Sequence, residues 1–178
     1  MNGTKRKTGF TLIEVVAVTL VIGLIAAVVL PNGNNNVEAR VDAAAADVAA
    51  AVRFARDESI RTGEPYGVRQ QNSANRFRVF RIDGGGTLIF DVYHPTSKQL
   101  WDFQFDDAPA YPGVDIARSM SWRGGCNKDG NIAFRGDGTP FCTDPVTVLL
   151  DQGTFEIELD DVDRDINVDG FTGRVWVE

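Results

Sequence analysis

The sequence predicts an α+β fold: a long N-terminal hydrophobic helix followed by a domain of antiparallel β-sheet. Three observations predict it. Residues 10–30 form an apolar run with a single charge. Residues 37–62 carry small apolar side chains at three- and four-residue spacing. From Tyr66 onward the chain breaks into short β-prone runs separated by Gly, Pro, Asn and Asp. A leading helix followed by many short strands packs as helix against one or two antiparallel sheets.

The apolar run comes first. As a helix, Phe10 to Leu30 would be about 31 Å long at a rise of about 1.5 Å per residue. That matches a hydrocarbon core of roughly 30 Å. Lys5, Arg6 and Lys7 precede it, and no basic residue follows until Arg40. The positive-inside rule then leaves the N-terminus in the cytoplasm and the remainder outside. A cleaved secretory signal has a shorter apolar region and a small-x-small cleavage site after it; Ile25-Ala26-Ala27 lacks the first small residue. An uncleaved anchor is the better reading. Glu14 is the lone carboxylate in the run, and a charge at membrane depth costs about 2.5–3.5 kcal/mol on insertion scales. Its partner is a terminal amine, another chain or interfacial water. The alternative is that Glu14, close to the segment's end, snorkels to the headgroups.

Lys7-Thr8-Gly9-Phe10-Thr11-Leu12-Ile13-Glu14 resembles the processing signal of type IV pilins and type II secretion pseudopilins. The resemblance implies cleavage between Gly9 and Phe10 by a prepilin peptidase, which also methylates the new amine of Phe10. It implies that Glu14 pairs with the N-terminal amine of a neighbouring subunit. Gly23 and Pro31 fall where this family carries helix-weakening residues. The expected organisation is a cleaved leader at 1–9, a transmembrane and assembly helix at 10–30, a hinge at 31–36, and a periplasmic pilin-like domain at 37–178. The hinge rests on Pro31-Asn32-Gly33-Asn34-Asn35-Asn36, with Asn35 or Asn36 as the N-cap of the next helix. The expected location is a single-pass inner-membrane protein that is extracted into a pilus or pseudopilus.

The whole chain carries 18 basic and 25 acidic residues. Loss of residues 1–9 removes three basic groups and no acid, leaving 15 against 25, a net −10. Such a surface does not favour nucleic acid or anionic lipid. Cys126 and Cys142 both lie in the exported part, where a disulfide is the default. Closing that loop of about 16 residues is worth roughly 3 kcal/mol in the chain-entropy model. Two cysteines and one distant histidine, His94, do not make a zinc site.

Val37 to Thr62 reads as a helix. Val41, Ala45, Val48, Val52 and Ala55 form its apolar stripe, expected to pack on a sheet. Asp57 and Arg61 sit at i,i+4 spacing, and Gly63 and Pro65 end the helix. The expected strands are Tyr66–Gln71, Arg76–Ile82, Thr87–Tyr93, Leu100–Asp106, one near Val114–Trp122, Ile132–Phe134, Val146–Leu150, Phe155–Leu159, Ile166–Val168 and Arg174–Val177. Asp83-Gly84-Gly85-Gly86 is a turn, and Trp101, Phe103 and Phe105 share one face. Three stretches narrow the resemblance to the GspH/FimT-like minor pseudopilins and minor pilins. They are the helix end Val52–Ile60, the turn Ile132–Gly138 and the ending Thr172–Val175. This implies a pilin-like fold and a structural subunit at or near the tip of a filament. The expected partners are other major and minor pilin or pseudopilin subunits, the prepilin peptidase/methyltransferase, an inner-membrane assembly platform and secreted cargo.

No nucleophile elbow, Walker loop or His-Glu-x-x-His motif is present, so no catalytic residue and no cofactor is expected. His94 before Pro95 reads as surface structure. Asp161, Asp163, Asp165 and Asp169 form an acidic alternation that raises calcium as a ligand. The EF-hand spacing fails, with Ile166 at the sixth position and Thr172 at the twelfth, so a solvated acidic hairpin is the preferred reading. Residues 53–81 hold seven arginines against three acids, which raises DNA capture or a tip adhesin as the alternative function. Residues 144–178 hold ten acids against two arginines, which argues against DNA.

Overall fold

The computed structural model describes residues 11–29, 34–117, 121–123, 130–143 and 151–178. The chain divides into two compact units, 1–35 and 36–178.

In the first unit, α1 spans Leu12–Val29. The Thr11 carbonyl accepts the amides of Glu14 and Val15, which starts the helix. Thr19 Oγ1 donates back to the carbonyls of Val15 and Val16, so its hydroxyl is satisfied within the helix. Of the expected hinge at 31–36, residues 31–33, Pro31 included, lie outside the described residues, and residues 34–36 are helical. Neither Asn35 nor Asn36 is the cap: α2 (Asn34–Thr62) begins before both. Asn loses less than about 0.7 kcal/mol against Ala inside a helix, so three of them do not prevent a helical first turn.

In the second unit, α2 buries a broad stripe. Val41, Ala45, Val48, Val52 and Ala55 are all fully buried, joined by Ala44, Ala49, Ala51 and Ser59. Alanine and valine leave little volume, so the sheet packs close to the helix backbone. Ser59 Oγ donates to the Ala55 carbonyl and accepts the Tyr66 amide, tying the helix end to the first strand. Arg61 pairs with Glu58 at 2.8 Å through Nε, and Asp57 faces Arg56 instead at 3.7 Å. The expected Asp57–Arg61 pair is therefore replaced by an i,i+3 fork–fork contact.

Eleven strands are found among the described residues. They are β1 (Tyr66–Gln71), β2 (Arg76–Ile82), β3 (Leu88–Ile89), β4 (Asp102–Gln104), β5 (Asp115–Ile116), β6 (Ser121–Arg123), β7 (Asn131–Phe134), β8 (Pro140–Cys142), β9 (Gln152–Leu159), β10 (Val162–Asp169) and β11 (Val175–Val177). One sheet runs β3-β2-β1-β7-β8, with β4 also on β2. The other runs β11-β10-β9-β5, with β6 also on β9. Every pairing is antiparallel. Phe77 of β2 meets Phe155 of β9 edge-to-face at 5.3 Å, so the core is shared between the two sheets and α2.

Several strands differ from expectation. Thr87–Tyr93 shrinks to β3, with Tyr93 kept only in an isolated bridge to Leu100. Leu100–Asp106 shrinks to β4 because Phe105–Asp107 turns into a 3₁₀ helix. Of the three aromatics expected on one face, Trp101 and Phe105 are buried and Phe103 is half-buried. Val114–Trp122 resolves into β5 and β6. β8 was not expected, and Val146–Leu150 lies outside the described residues. β10 is far longer than Ile166–Val168: it pairs with β9 from Val162 to Asp169. The segment 105–116 is held by Asn75, at φ 42° in the β1–β2 connection. Its Nδ2 reaches the Asp106 carboxylate at 2.7 Å and the Asp115 carboxylate at 2.8 Å, and its Oδ1 accepts the Ile116 amide at 2.9 Å.

Candidate assembly interface

α1 is apolar around its whole circumference, and each of its described side chains, Leu12 to Gly23, is exposed; Leu12 is 84% exposed. A helix that is hydrophobic all round is one that lies in a membrane or inside a bundle of other helices. Among the described residues no helix is long and apolar enough to cross a membrane, and the described side chains of α1 stop at Gly23. Glu14 sits in the first turn, where the amide ends of the helix favour a carboxylate. No side chain among the described residues pairs with it. Gly23 has nothing within 4 Å of where a Cβ would stand, so the position offers a smooth surface for a neighbour. Gly9, Phe10 and Pro31 lie outside the described residues.

In the second unit, the structure brings the three motif stretches to one place. Gly173, at φ 66°, packs against the β7–β8 turn: a Cβ there would stand 2.6 Å from the Gly138 carbonyl and 3.0 Å from Arg56 Nε. Gly138, at φ 82°, lies against Ile60 in the same way. Arg56 and Ile60 come from the helix end, Gly138 from the turn, and Gly173 from the C-terminal stretch. Sequence reading found the three stretches and missed that they form one joint. The glycines at both crossing points were the signal that could have found it.

Four of the seven arginines of residues 53–81, Arg61, Arg76, Arg78 and Arg81, are engaged by an acid or a ring. Arg76 forks onto Asp102, and Arg81 onto Asp91 at 2.8 Å through both nitrogens. Arg78 lies over the Phe90 ring at 3.9 Å. Hydrogen bonds from Arg81 hold the Asp91 carboxyl below the usual carboxylate range, as Arg61 does for Glu58. His94 Nδ1 accepts the amides of Thr96 and Ser97, and its ring packs at a tilt against Trp101, 4.5 Å between centroids, so it caps a surface turn.

The acidic stretch is a hairpin: β9 and β10 pair across a turn at Asp160 and Asp161. Asp161 and Asp169 are eight residues apart, about 26 Å along a strand at about 3.3 Å per residue. They cannot share one ion with Asp163 and Asp165. No group of three or more metal-ligating side chains occurs among the described residues. Asp169 is committed elsewhere. It accepts the amides of Thr172 at 2.7 Å and Phe171 at 3.1 Å, and these bonds hold its carboxyl low. Asp165 is pushed up by burial, with Asp163 and Glu178 adding repulsion. Arg164 fastens the hairpin to α2 through Asp42 at 2.7 Å and Glu38 at 3.3 Å. Cys142 is buried at the end of β8. Cys126 lies outside the described residues.

A helix backed by two antiparallel sheets, following an apolar N-terminal helix in the chain, is the pilin-like architecture. Residues 44–171 match the family described as type II transport protein GspH, and residues 4–30 match the prokaryotic N-terminal methylation motif. The chain belongs to the GspH family of minor pseudopilins and pilins. Among solved structures, the minor pseudopilin EpsH from the type 2 secretion system of Vibrio cholerae is similar, at 10% identity and a TM-score of 0.55, covering 78% of this chain and 96% of that one. A second EpsH structure gives 11% identity, a TM-score of 0.55, and coverage of 79% and 94%. The type IV minor pilin FimU of Pseudomonas aeruginosa gives 16%, 0.50, and coverage of 78% and 87%. These likenesses show the fold. No curated protein sequence matches the chain.

Proposed function

We propose that the chain is a structural subunit at or near the tip of a type II secretion pseudopilus or type IV pilus, acting in secretion or pilus biogenesis without catalysis. It is made with a leader at 1–9, parked in the inner membrane with its domain in the periplasm, and cut between Gly9 and Phe10. Phe10 is then methylated. The observation that carries this reading is Glu14, a lone carboxylate in the first turn of a helix apolar on every side. A newly freed amine on a neighbouring subunit supplies its missing charge. Before assembly the acid has only water at the headgroup level, so packing into a filament lowers the cost of holding it. The domain at 37–178 meets neighbouring subunits, the assembly platform or cargo, and its disulfide joins Cys126 to Cys142. Mass spectrometry of the mature N-terminus tests the processing step. Gly9→Val is expected to leave the leader attached, and normal cleavage of that variant would contradict the assignment.

A further inference from the structure

We propose that the groove between α2 and β11 seats an acidic, extended segment of a neighbouring pilin-type subunit, a reading that rests on the filament-subunit function above. A cleft of about 470 Å³ lies against Arg53, Arg56, Asp57, Thr172 and Arg174. A second, of about 490 Å³, shares Thr172 and Arg174 and reaches Trp176 and Asp169. Three cations therefore line one groove. Among the described residues Arg53 donates to the Val175 carbonyl alone, at 3.3 Å. Arg56 faces Asp57 loosely at 3.7 Å, and its Nε is buried without a hydrogen-bond partner. No carboxylate among the described residues pairs with Arg53 or Arg174. Arg61, Arg76, Arg81 and Arg164, by contrast, each hold an acid.

Phe171 directly precedes Thr172, which lines both clefts, and is 88% exposed. Its turn is fixed by the three bonds that Asp169 accepts from the Phe171 amide, the Thr172 amide and the Thr172 hydroxyl. The backbone that carries the ring is therefore fixed, and docking has only the side chain's own torsions left to order. Aromatic and arginine side chains together are what protein interfaces use as anchors. Arg53, with no acid beside it, and Arg174, which acts on Asp169 without a direct ion pair, leave donors free to select carboxylates. Asp57, Asp169 and Glu178 border the same groove, Glu178 through its bond to Trp176, and would repel a continuous polyanion. Separate carboxylates on a peptide can sit between them.

The test uses the full chain in its own filament, with a photo-crosslinking residue in place of Phe171 and a control crosslinker in place of Gly85 in the β2–β3 turn. Irradiation is expected to join position 171 to another pilin-type subunit, identified by mass spectrometry. Arg53→Glu with Arg174→Glu should lower that yield about tenfold, and the milder alanine pair should lower it less. Incorporation and any Gly85 adduct should not change. An incorporated chain with no adduct at 171, or with an adduct indifferent to the reversals, overturns the inference and leaves the subunit function standing. A wild-type chain that never enters the filament overturns the function itself, and this inference with it. A salt-sensitive shift of duplex DNA that is lost in the reversals also overturns it, in favour of a polyanion.

Discussion

Gly173→Ala probes the joint at which the three family stretches meet. The backbone at Gly173 has φ 66°, and leaving a non-glycine residue in that region costs about 1–2 kcal/mol. The new methyl would also stand 2.6 Å from a backbone oxygen, that of Gly138, and 3.0 Å from Arg56 Nε. A backbone oxygen cannot swing aside, so overpacking adds about 1–3 kcal/mol. The expected loss is about 2–5 kcal/mol, a large part of a typical domain's stability. Gly63→Ala is the internal control. It has φ 76° but nothing within 4 Å of the added carbon, so only the conformational cost of about 1–2 kcal/mol remains. Gly138→Ala should fall between them, because the atom it meets at 2.8 Å is the tip of Ile60. The unit 36–178 has its own core and can be studied alone. Urea denaturation of that unit gives the three midpoints, compared at equal slope. If Gly173→Ala costs no more than Gly63→Ala, the joint is not tight and the reasoning fails.

Three further outcomes are expected. Asn75→Ala should cost about 3 kcal/mol, since it strands the buried Ile116 amide and keeps a positive φ, and Asn75→Gly should recover only the second part; urea midpoints measure both. The carboxyls of Glu58, Asp91 and Asp169 are held low in the folded state, so the unfolded chain binds protons first. Their contribution is therefore present above about pH 4 and lost as pH falls through the folded values, and Asp169→Asn should flatten that acid limb in a series of unfolding scans. Asp165, pushed up by burial, has the opposite sign. Asp165→Asn should raise stability at pH 7, and the gain should vanish once pH drops through the ordinary carboxylate value of about 4.

The helix of the domain could be read from Val41, Ala45, Val48, Val52 and Ala55 because a period of 3.6 leaves one interpretation for a long stripe. Ser59 could not: a polar residue gains burial there only because the Tyr66 amide needs its oxygen. β8 was hidden by Pro140, which reads as a break but is tolerated as the first residue of an edge strand. β10 was under-read because its aspartates suggest a loop. Pairing with β9 over eight residues outweighs their weak β-propensity, and Asp163 and Asp165 point away from the face that buries Ile166 and Val168. The N-terminal motif shows the reverse pattern. Residues 4–30 match the methylation motif, whose signal is a local run of residues, and the processing and pairing roles of Gly9, Phe10 and Glu14 are proposals that rest on it. The joint of Arg56, Gly138 and Gly173 depends on contacts between distant segments, which spacing alone does not encode.

The most direct measurement is filament incorporation of Glu14→Ala beside wild type, read with the mass of the mature N-terminus. The account predicts a variant that is cleaved after Gly9 and retained in the membrane, with incorporation reduced by on the order of tenfold or more if the pair is worth about 1.4 kcal/mol or above. A Glu14→Ala subunit that is cleaved and enters filaments at the wild-type level would contradict it.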